Sequence, residues 1–336
     1  MNENTSPNVS PALASRGASA GSALELQPCP TRPEDRDRLI ELALLGNGDG
    51  RLGVGYPRWE SWEEIAAEYE VYGSSPELGL YAVARAGRLV GYAGFLADPA
   101  ERQGFLVGPV LAAEALAGLP ALAQRLDSLA AARFDQLLSS VTVENDGLRG
   151  ALQALGWRSK KRQLELKLLR SDLASAGADP RVTELEPTAV EDVAAAAAIL
   201  VEGLGWQGDG RERLLEYCES CVVLVGRVAG QVRGVVIADP MRGTDFCRLE
   251  DLAVSSGARR QGLGRALLLG ALQALPEQGR EVFLSVDSTA EGAIALYHQL
   301  GFQTTRCSEL LEKRWTPAAR SGQLSPGGSG DGARDV

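Results

Sequence analysis

The chain has few of the residues, and none of the long runs, that mark several common classes of protein. Its 336 residues include only five cysteines, an odd number that is too small for a disulfide-stapled scaffold. The single histidine, His298, and the lone pair Cys218 and Cys221 do not make up the ligand set of a zinc site. No apolar run reaches the length of a membrane span, and the first residues lack the basic and apolar regions of a secretory signal. We therefore expect a cytoplasmic protein with no metal and no membrane partner.

Basic charge is also scarce. The chain has 34 Lys and Arg against 44 Asp and Glu, a formal net charge of −10, with a pI near 4.9. Because phosphates repel an acidic surface, this composition argues against a nucleic-acid partner and slightly favours small cationic substrates. Apolar residues make up 45% of the chain and charged residues 23%, which is ordinary for a globular protein and excludes a wholly disordered one.

The length predicts two domains. Residues 1–22 and 317–336 are rich in small and polar residues without periodicity, so we predict two disordered tails. Residues 170–180 have the composition of a linker. The chain is thus expected to hold one domain over residues 23–169 and a second over residues 181–316.

The two predicted domains share a pattern. A hairpin of two β-rich runs around a glycine turn covers residues 81–95 in the first and residues 226–238 in the second. The glycines of these hairpins lie 143 residues apart, and Gly301 follows Gly156, which ends a similar helix, by 145 residues. A nearly constant offset indicates duplication of one fold.

The second domain alternates strands and helices, which predicts a mixed α/β sheet. Its predicted strands are Val182–Leu185, Arg248–Val254, Glu281–Val286 and Leu310–Trp315, besides the hairpin, and its predicted helices are Glu191–Leu204, Gly262–Leu275 and Glu291–Leu300.

The clearest motif lies between a predicted strand and a predicted helix. Arg259, Gly262 and Gly264 follow the spacing Arg-x-x-Gly-x-Gly at the start of that helix. Glycine lets a backbone approach a ligand closely, and a helix N-terminus presents free N–H groups, so this turn is suited to a pyrophosphate. It is neither a Walker loop nor a Rossmann fingerprint. By spacing alone, a tight turn with solvated arginines is an equally open interpretation.

With its context, this motif resembles the acetyl-CoA loop of the GNAT acyltransferase superfamily. The downstream run ALYHQLGF, residues 295–302, resembles the second hallmark of that family. The resemblance covers residues 181–316 well and the first half more faintly. It implies two tandem GNAT-type domains, each a mixed, mostly antiparallel sheet with flanking helices. It also implies acetyl-CoA as cosubstrate, held by the last residues of a strand and by the loop after it: Leu252, Ala253, Val254, Arg259, Arg260, Gln261, Gly262, Leu263, Gly264 and Arg265.

The resemblance also suggests catalytic residues. Glu250 stands where the family often carries the group that deprotonates the amine, and strand alternation predicts that 248, 250, 252 and 254 share a face. Asp251 is then expected on the opposite face, and Asp287 is a third option. Tyr297 stands where the family places the acid that protonates the leaving thiolate. The alternatives are a surface carboxylate for Glu250 and a core aromatic for Tyr297.

Departures from the family pattern divide the two halves. In the second half Ala290 replaces a frequent Asn, so a hydrogen bond toward the cofactor is missing or comes from Ser288 or Thr289. In the first half that Asn is present as Asn145, but Leu152 replaces the Tyr. At the offset of 145 residues, Glu114, Ala117 and Leu119 take the places of the loop residues Arg259, Gly262 and Gly264. A carboxylate at the first of these places repels phosphate. We therefore expect a degenerate first domain that does not bind acetyl-CoA.

The function predicted from these observations is an N-acetyltransferase that moves an acetyl group from acetyl-CoA to a primary amine, either a small molecule or a peptide. A non-catalytic CoA-binding sensor or scaffold is the alternative, and a mycothiol synthase-like acetyltransferase is a minor one. Trp59, Trp62 and Trp206 lie in regions that line the acceptor site in the family, although packing residues are the more common interpretation. A monomer and a homodimer are both open.

Overall fold

The computed structural model describes residues 23–172, 177–241, 246–276 and 280–315. The predicted tails, 1–22 and 317–336, and part of the predicted linker lie outside these residues. Within them the chain forms alternating strands and helices, which confirms the predicted α/β class.

The first half contains seven strands and five helices within the described residues. Ser61 caps one helix by accepting a hydrogen bond from the backbone of Glu64 at 3.1 Å, and Pro33 begins another, both common helix starts. The strands are β1 Glu25–Pro28, β2 Val54–Tyr56, β3 Leu80–Arg85, β4 Arg88–Leu96, β5 Gln103–Leu111, β6 Gln136–Thr142 and β7 Arg158–Leu169. The helices are α1 Pro33–Gly48, α2 Trp62–Val71, α3 Pro76–Gly79, α4 Leu119–Arg133 and α5 Asp146–Ala154.

The described part of the second half agrees with the predicted elements to within one or two residues at most ends. Two strands are exceptions: the first strand of the hairpin begins four residues earlier than predicted, and the last strand begins seven residues earlier. The strands are β8 Val182–Glu184, β9 Val222–Val228, β10 Gln231–Asp239, β11 Phe246–Val254, β12 Glu281–Asp287 and β13 Gln303–Arg314. The helices are α6 Val190–Leu204, α7 Arg211–Ser220, α8 Leu263–Ala274 and α9 Glu291–Gln299.

All thirteen strands join one continuous sheet. Their order is β1-β3-β4-β5-β6-β13-β7-β12-β11-β10-β9-β8, and β2 pairs with β6 beside this path. The order is symmetric about its centre, so strands of the two halves take equivalent places. Among the described strands, only β5 with β6 and β11 with β12 run parallel, which confirms the predicted mixed, mostly antiparallel sheet.

The last strand of each half lies beside the sheet of the other half. On β7, Leu166 and Leu168 are fully buried in the apolar core beneath α8 and α9 of the second half. On β13, Leu311 and Trp315, which directly follows the strand, pack in the core of the first half. Strand periodicity predicts that such residues are buried but does not identify the partner strand, so the exchange could not be predicted.

Ion pairs hold the exchanged strands. Glu309 on β13 is buried and pairs with Arg149 of α5 at 3.0 Å. Lys313 on β13 pairs with Asp127 of α4 at 2.6 Å. These pairs connect β13 with helices of the first half. Moving β13 away would leave each partner as an uncompensated charge, which is costly where the pair is buried.

The exchange predicts that the second half does not fold without β7. A fragment of residues 177–336 lacks Leu166 and Leu168, and burial of each such side chain contributes about 1.5–3 kcal/mol. We expect this fragment to show no cooperative thermal unfolding by circular dichroism, whereas a fragment of residues 157–336, which contains β7, should unfold cooperatively. If the shorter fragment unfolds cooperatively at the temperature of the full chain, β7 is not part of this core.

Candidate active site

A wedge opens in the sheet between β11 and β12. The two strands pair over only four residues, from Phe246 with Glu281 to Leu249 with Leu284. Beyond this point β11 runs on to Val254 and β12 to Asp287 without pairing to each other. The backbone of Ser255 donates to β10, at the carbonyl of Arg233. Because backbone groups alternate along a strand, those of Leu252 and Val254 face the wedge, whereas those of Ala253 face β10.

A bulge at Glu250 changes which side chains share a face, so the predicted alternation is wrong. On β10, Ile237 pairs with Asp251 and the next residue, Ala238, pairs with Leu249, which leaves Glu250 without a partner. Leu249 and Leu252 therefore both pack toward α8. Asp251 lies on the other face of the sheet together with Ile237, not on the face opposite to Glu250 as expected.

The two carboxylates are largely buried on the face that α6 and α7 cover. Burial raises the pKa of Glu250; the charge of Arg248 opposes this shift and that of Asp251 adds to it. Burial also raises the pKa of Asp251, opposed by Arg213 and by the indole of Trp206, which donates a hydrogen bond to it. Each carboxyl is thus closer to neutral than a solvated one, as suits a group that takes up a proton near neutral pH.

Tyr297 approaches the wedge from α9. Its ring packs on Phe302 at 5.8 Å in the core of the second half, as the core interpretation predicts. Burial raises the pKa of Tyr297 to about 12, and the negative charge of Asp251 acts in the same direction. No described residue forms a hydrogen bond with its hydroxyl, which stays accessible to solvent. The wedge therefore brings a protonated phenol near Asp251 from the other side of the sheet.

The loop after β11 forms a cradle of backbone donors. Arg260 and Gly262 have positive φ angles of 63° and 77°, which turn successive N–H groups to one side. The N–H groups of residues 260–265 find no acceptor among the described residues, whereas the next one, of Ala266, bonds to the carbonyl of Gly262. The buried hydroxyl of Ser255, at the end of β11, has no partner there either. These free donors at a helix N-terminus fit the pyrophosphate and pantetheine of acetyl-CoA.

Arginines surround this cradle. Arg259, Arg260 and Arg265 are exposed, and Arg259 donates from Nε to the carbonyl of Val254 at 3.0 Å. Arg181, which the sequence analysis did not single out, donates to the carbonyl of Gln261 at 3.2 Å. A cavity of about 300 Å³ opens beside α8 and is lined in part by Arg181 and Arg265. The positive charge of this region favours an anionic ligand.

The remaining predicted residues fit less well. Asp287 accepts two hydrogen bonds from Thr289, which lower the pKa of its carboxyl, so it is poorly suited to act as a base. Thr289 is also engaged by these bonds. Ala290 stands at the N-cap of α9 without a side-chain hydrogen bond, whereas Asn145 caps the equivalent helix α5.

The equivalent wedge of the first half is filled by the chain itself. β5 and β6 pair over three residues and then part, and β2 (Val54–Tyr56) pairs with β6 beyond that point. Thr142 and Asn145 both donate to the carbonyl of Gly53, at 3.1 and 3.0 Å. Arg306 of the exchanged strand β13 donates to the carbonyl of Val54 at 3.2 Å. This half also has a 3-10 turn, with Glu114, in place of the glycine cradle.

Other predicted features stay minor. Trp59 is buried in the core of the first half. The guanidinium of Arg36 stacks over the ring of Trp62, 4.2 Å from its centre, so both tryptophans are packing residues. Burial raises the pKa of the Cys221 thiol to about 11. Among the described residues no group of three or more His, Cys, Asp or Glu side chains could hold a metal ion. None of the described helices is both long enough and apolar enough for a membrane crossing.

Comparison with known sequences finds acetyltransferases. Residues 195–302 match the family described as Acetyltransferase (GNAT) family. N-acetyltransferase 8 of Rattus norvegicus is 37% identical over 81 residues, which are 24% of this chain and 36% of the relative. N-acetyltransferase family 8 member 3 of Mus musculus is 32% identical over 111 residues, 30% of this chain and 49% of the relative. The chain thus spans between a third and a half of the length of these relatives.

Solved structures share the fold over most of the chain. The GCN5-related N-acetyltransferase from Sphaerobacter thermophilus superposes with a TM-score of 0.64 at 19% identity, covering 87% of this chain and 95% of that one. A tandem GNAT protein from the clavulanic acid biosynthesis pathway superposes with a TM-score of 0.55 at 14% identity, covering 88% of this chain and 99% of that one. At these identities the likeness concerns the fold.

The cradle and the filled wedge predict one acetyl-CoA per chain, bound by the second half. Isothermal titration calorimetry is expected to give a single site. Gly262→Glu should weaken binding more than 10-fold, because it adds a negative charge and a side chain where the N–H groups converge.

Gly230→Glu is the matched control. Gly230 has a φ angle of 79°, close to that of Gly262, but lies in the hairpin turn of β9 and β10. Gly230→Glu therefore adds the same charge and a similar backbone strain at a place away from the loop. Two equivalent sites, or equal affinity in both variants, would contradict this assignment.

Proposed function

Because the chain is a GNAT superfamily protein, we propose that it is an N-acetyltransferase that moves an acetyl group from acetyl-CoA to a primary amine. Acetyl-CoA supplies the acetyl group as a thioester. The backbone of residues 260–265 would hold its pyrophosphate, and the backbone groups of Leu252 and Val254 would hold its pantetheine arm in the wedge.

One observation carries this proposal. Two partly buried carboxylates, Glu250 and Asp251, and a buried tyrosine, Tyr297, lie beside the wedge that leads to the cradle of free N–H groups. A binding module needs the cradle and the wedge but gains nothing from ionisable groups in a dry environment, whose burial lowers stability. A sensor or scaffold is therefore the less favoured reading of the same site.

The proposed chemistry needs a base for the acceptor nitrogen and an acid for the leaving sulfur. Glu250 accepts a proton from the acceptor ammonium, directly or through a water, and frees the nitrogen lone pair. As the nitrogen forms its bond to the thioester carbon and the carbon–sulfur bond breaks, Tyr297 donates its proton to the leaving thiolate. The second proton of the nitrogen leaves through water and restores the hydroxyl of Tyr297, while the proton on Glu250 passes to solvent. The raised pKa of Tyr297 keeps it protonated at neutral pH, as a donor must be.

The acid role predicts a selective loss in Tyr297→Phe. This change keeps the ring packed on Phe302 and removes only the hydroxyl. We expect kcat to fall by up to about 100-fold, at the low end for acid–base groups because a thiolate is a fair leaving group. Acetyl-CoA affinity should stay within about two-fold of the parent, since the ring contact remains. The check is thiol release with acetyl-CoA and a panel of amines, and parental turnover would exclude Tyr297 as the acid.

The base role predicts a change in pH dependence. With the parent enzyme, kcat/KM should fall as the pH decreases through the pKa of Glu250, because a protonated carboxyl accepts no proton. Burial raises that pKa, so this limb lies above the range of an ordinary carboxyl. Glu250→Gln should remove the limb, whereas the matched variant Asp251→Asn should keep it. The opposite pattern in the two pH profiles would assign the base to Asp251.

A further inference from the structure

The guanidinium of Arg248 faces the candidate site with its ends free. Arg248 lies on β11 two residues before Glu250, and its side chain is 42% exposed. It contacts Glu250 through Nε, at 3.3 Å from Oε1. Among the described residues, none accepts a hydrogen bond from its two terminal nitrogens. A guanidinium with this free edge is well shaped to bind a carboxylate.

An aromatic floor lies next to Arg248. In the sheet register Arg248 stands beside Phe283 of β12, whose ring meets that of Phe246 edge-on at 5.7 Å. Both phenylalanines are only half-buried. Beyond Phe283, Lys167 of the exchanged strand β7 is already paired with Glu281 at 2.7 Å. Among the described residues, Arg248 is thus a cation at the edge of this apolar surface whose two terminal nitrogens have no partner, while its Nε contacts Glu250.

Tyr72 of the first half lies within the electrostatic reach of Arg248. Burial raises the pKa of Tyr72 on the segment that ends α2, and the positive charge of Arg248 opposes that rise. The hydroxyl of Tyr72 lies 3.1 Å from that of Tyr56, which in turn donates to Glu68. The positive charge of Arg248 thus acts on a tyrosine of the other half of the chain.

The charges around Glu250 are ordered. Asp239 and Asp251 place negative charge near the predicted base Glu250, which attracts an ammonium, and the positive charge of Arg213 partly offsets it. Positive charge on Arg248 lies directly beside this base, since its side chain reaches Glu250. A ligand that meets both must carry its ammonium and an anionic group a few ångströms apart, which is the spacing of an α-amino acid.

We propose that Arg248 is a specificity-determining residue and that the preferred acceptor is a free α-amino acid with an apolar or aromatic side chain. Arg248 binds the α-carboxylate, Glu250 faces the α-amine, and Phe246 and Phe283 contact the side chain. The proposal rests on the proposed function in that it names the acceptor of the same site. The proposal also gives a role to the two terminal nitrogens of Arg248, which Glu250 does not contact.

The test compares acceptors that differ only in the carboxylate. With L-phenylalanine, L-phenylalaninamide and 2-phenylethylamine, we expect the parent enzyme to give the highest kcat/KM for L-phenylalanine. Arg248→Gln should lower that value about 10- to 100-fold, chiefly through KM, and leave the values for the two analogues without a carboxylate little changed. Arg248→Lys should restore part of it, and Arg233→Gln, on the exposed side of β10, should change nothing.

The comparison of acceptors separates recognition from tuning of the base. If Arg248 only tunes Glu250, its replacement changes the rates of all three acceptors equally, and the proposal is wrong. It is also wrong if the parent acetylates 2-phenylethylamine as efficiently as L-phenylalanine, although the proposed function then stands.

Binding without turnover gives an independent readout. Calorimetry with N-acetyl-L-phenylalanine and N-acetyl-2-phenylethylamine, each with CoA present, should show tighter binding of the first in the parent and lose that preference in Arg248→Gln. If no amine is acetylated but this preference exists, the proposed function fails and the recognition by Arg248 stands. If neither compound binds, or both bind alike, the recognition by Arg248 is refuted.

Discussion

The early end of the pairing between β11 and β12 is the constraint on which the rest of the site depends. Backbone groups removed from water must find partners, and here two strands part after Leu249 and Leu284 without another strand between them. The gap leaves donors and acceptors for an extended ligand and connects the two faces of the sheet. Through it Tyr297, which packs beneath the sheet, comes under the influence of Asp251 on the other face. The cradle at the start of α8 lies at the end of the same strand.

The first half meets the same constraint in another way. Its strands β5 and β6 also part, but β2 enters the gap and is held there by Thr142, Asn145 and Arg306. A segment of the chain thus satisfies backbone groups that a ligand would satisfy in the second half. The two halves keep one architecture and differ in what fills the wedge. This difference gives a structural reason for the loss of ligand binding that Glu114 and Leu152 suggest for the first half.

The exchanged strand β7 belongs to the first half by sequence but packs in the core of the second half. Leu166 and Leu168 on β7 complete the core beneath α8 and α9, and Glu165 on the same strand binds Arg58 of the first half at 2.6 Å. Because β7 also stands beside β12, it brings the first half to the border of the acceptor face. The acidic composition does not describe this face well, since Arg248 contributes a local positive charge that a net charge of −10 conceals.

The sequence by itself determined most of the elements, the duplication and the glycine turn at the start of α8. These features depend on local patterns: strand and helix periodicity, and the glycine whose positive φ at residue 262 a side chain would strain. The position of Tyr297 on a helix after the next strand was equally readable. Tertiary structure decided the rest. The bulge at Glu250 places Asp251 on the same face of the sheet as Glu250, β2 closes the first wedge, and β7 and β13 each lie beside the sheet of the other half. Each of these depends on which strand pairs with which and in what register, and distant backbone pairing leaves no periodic signal in the chain.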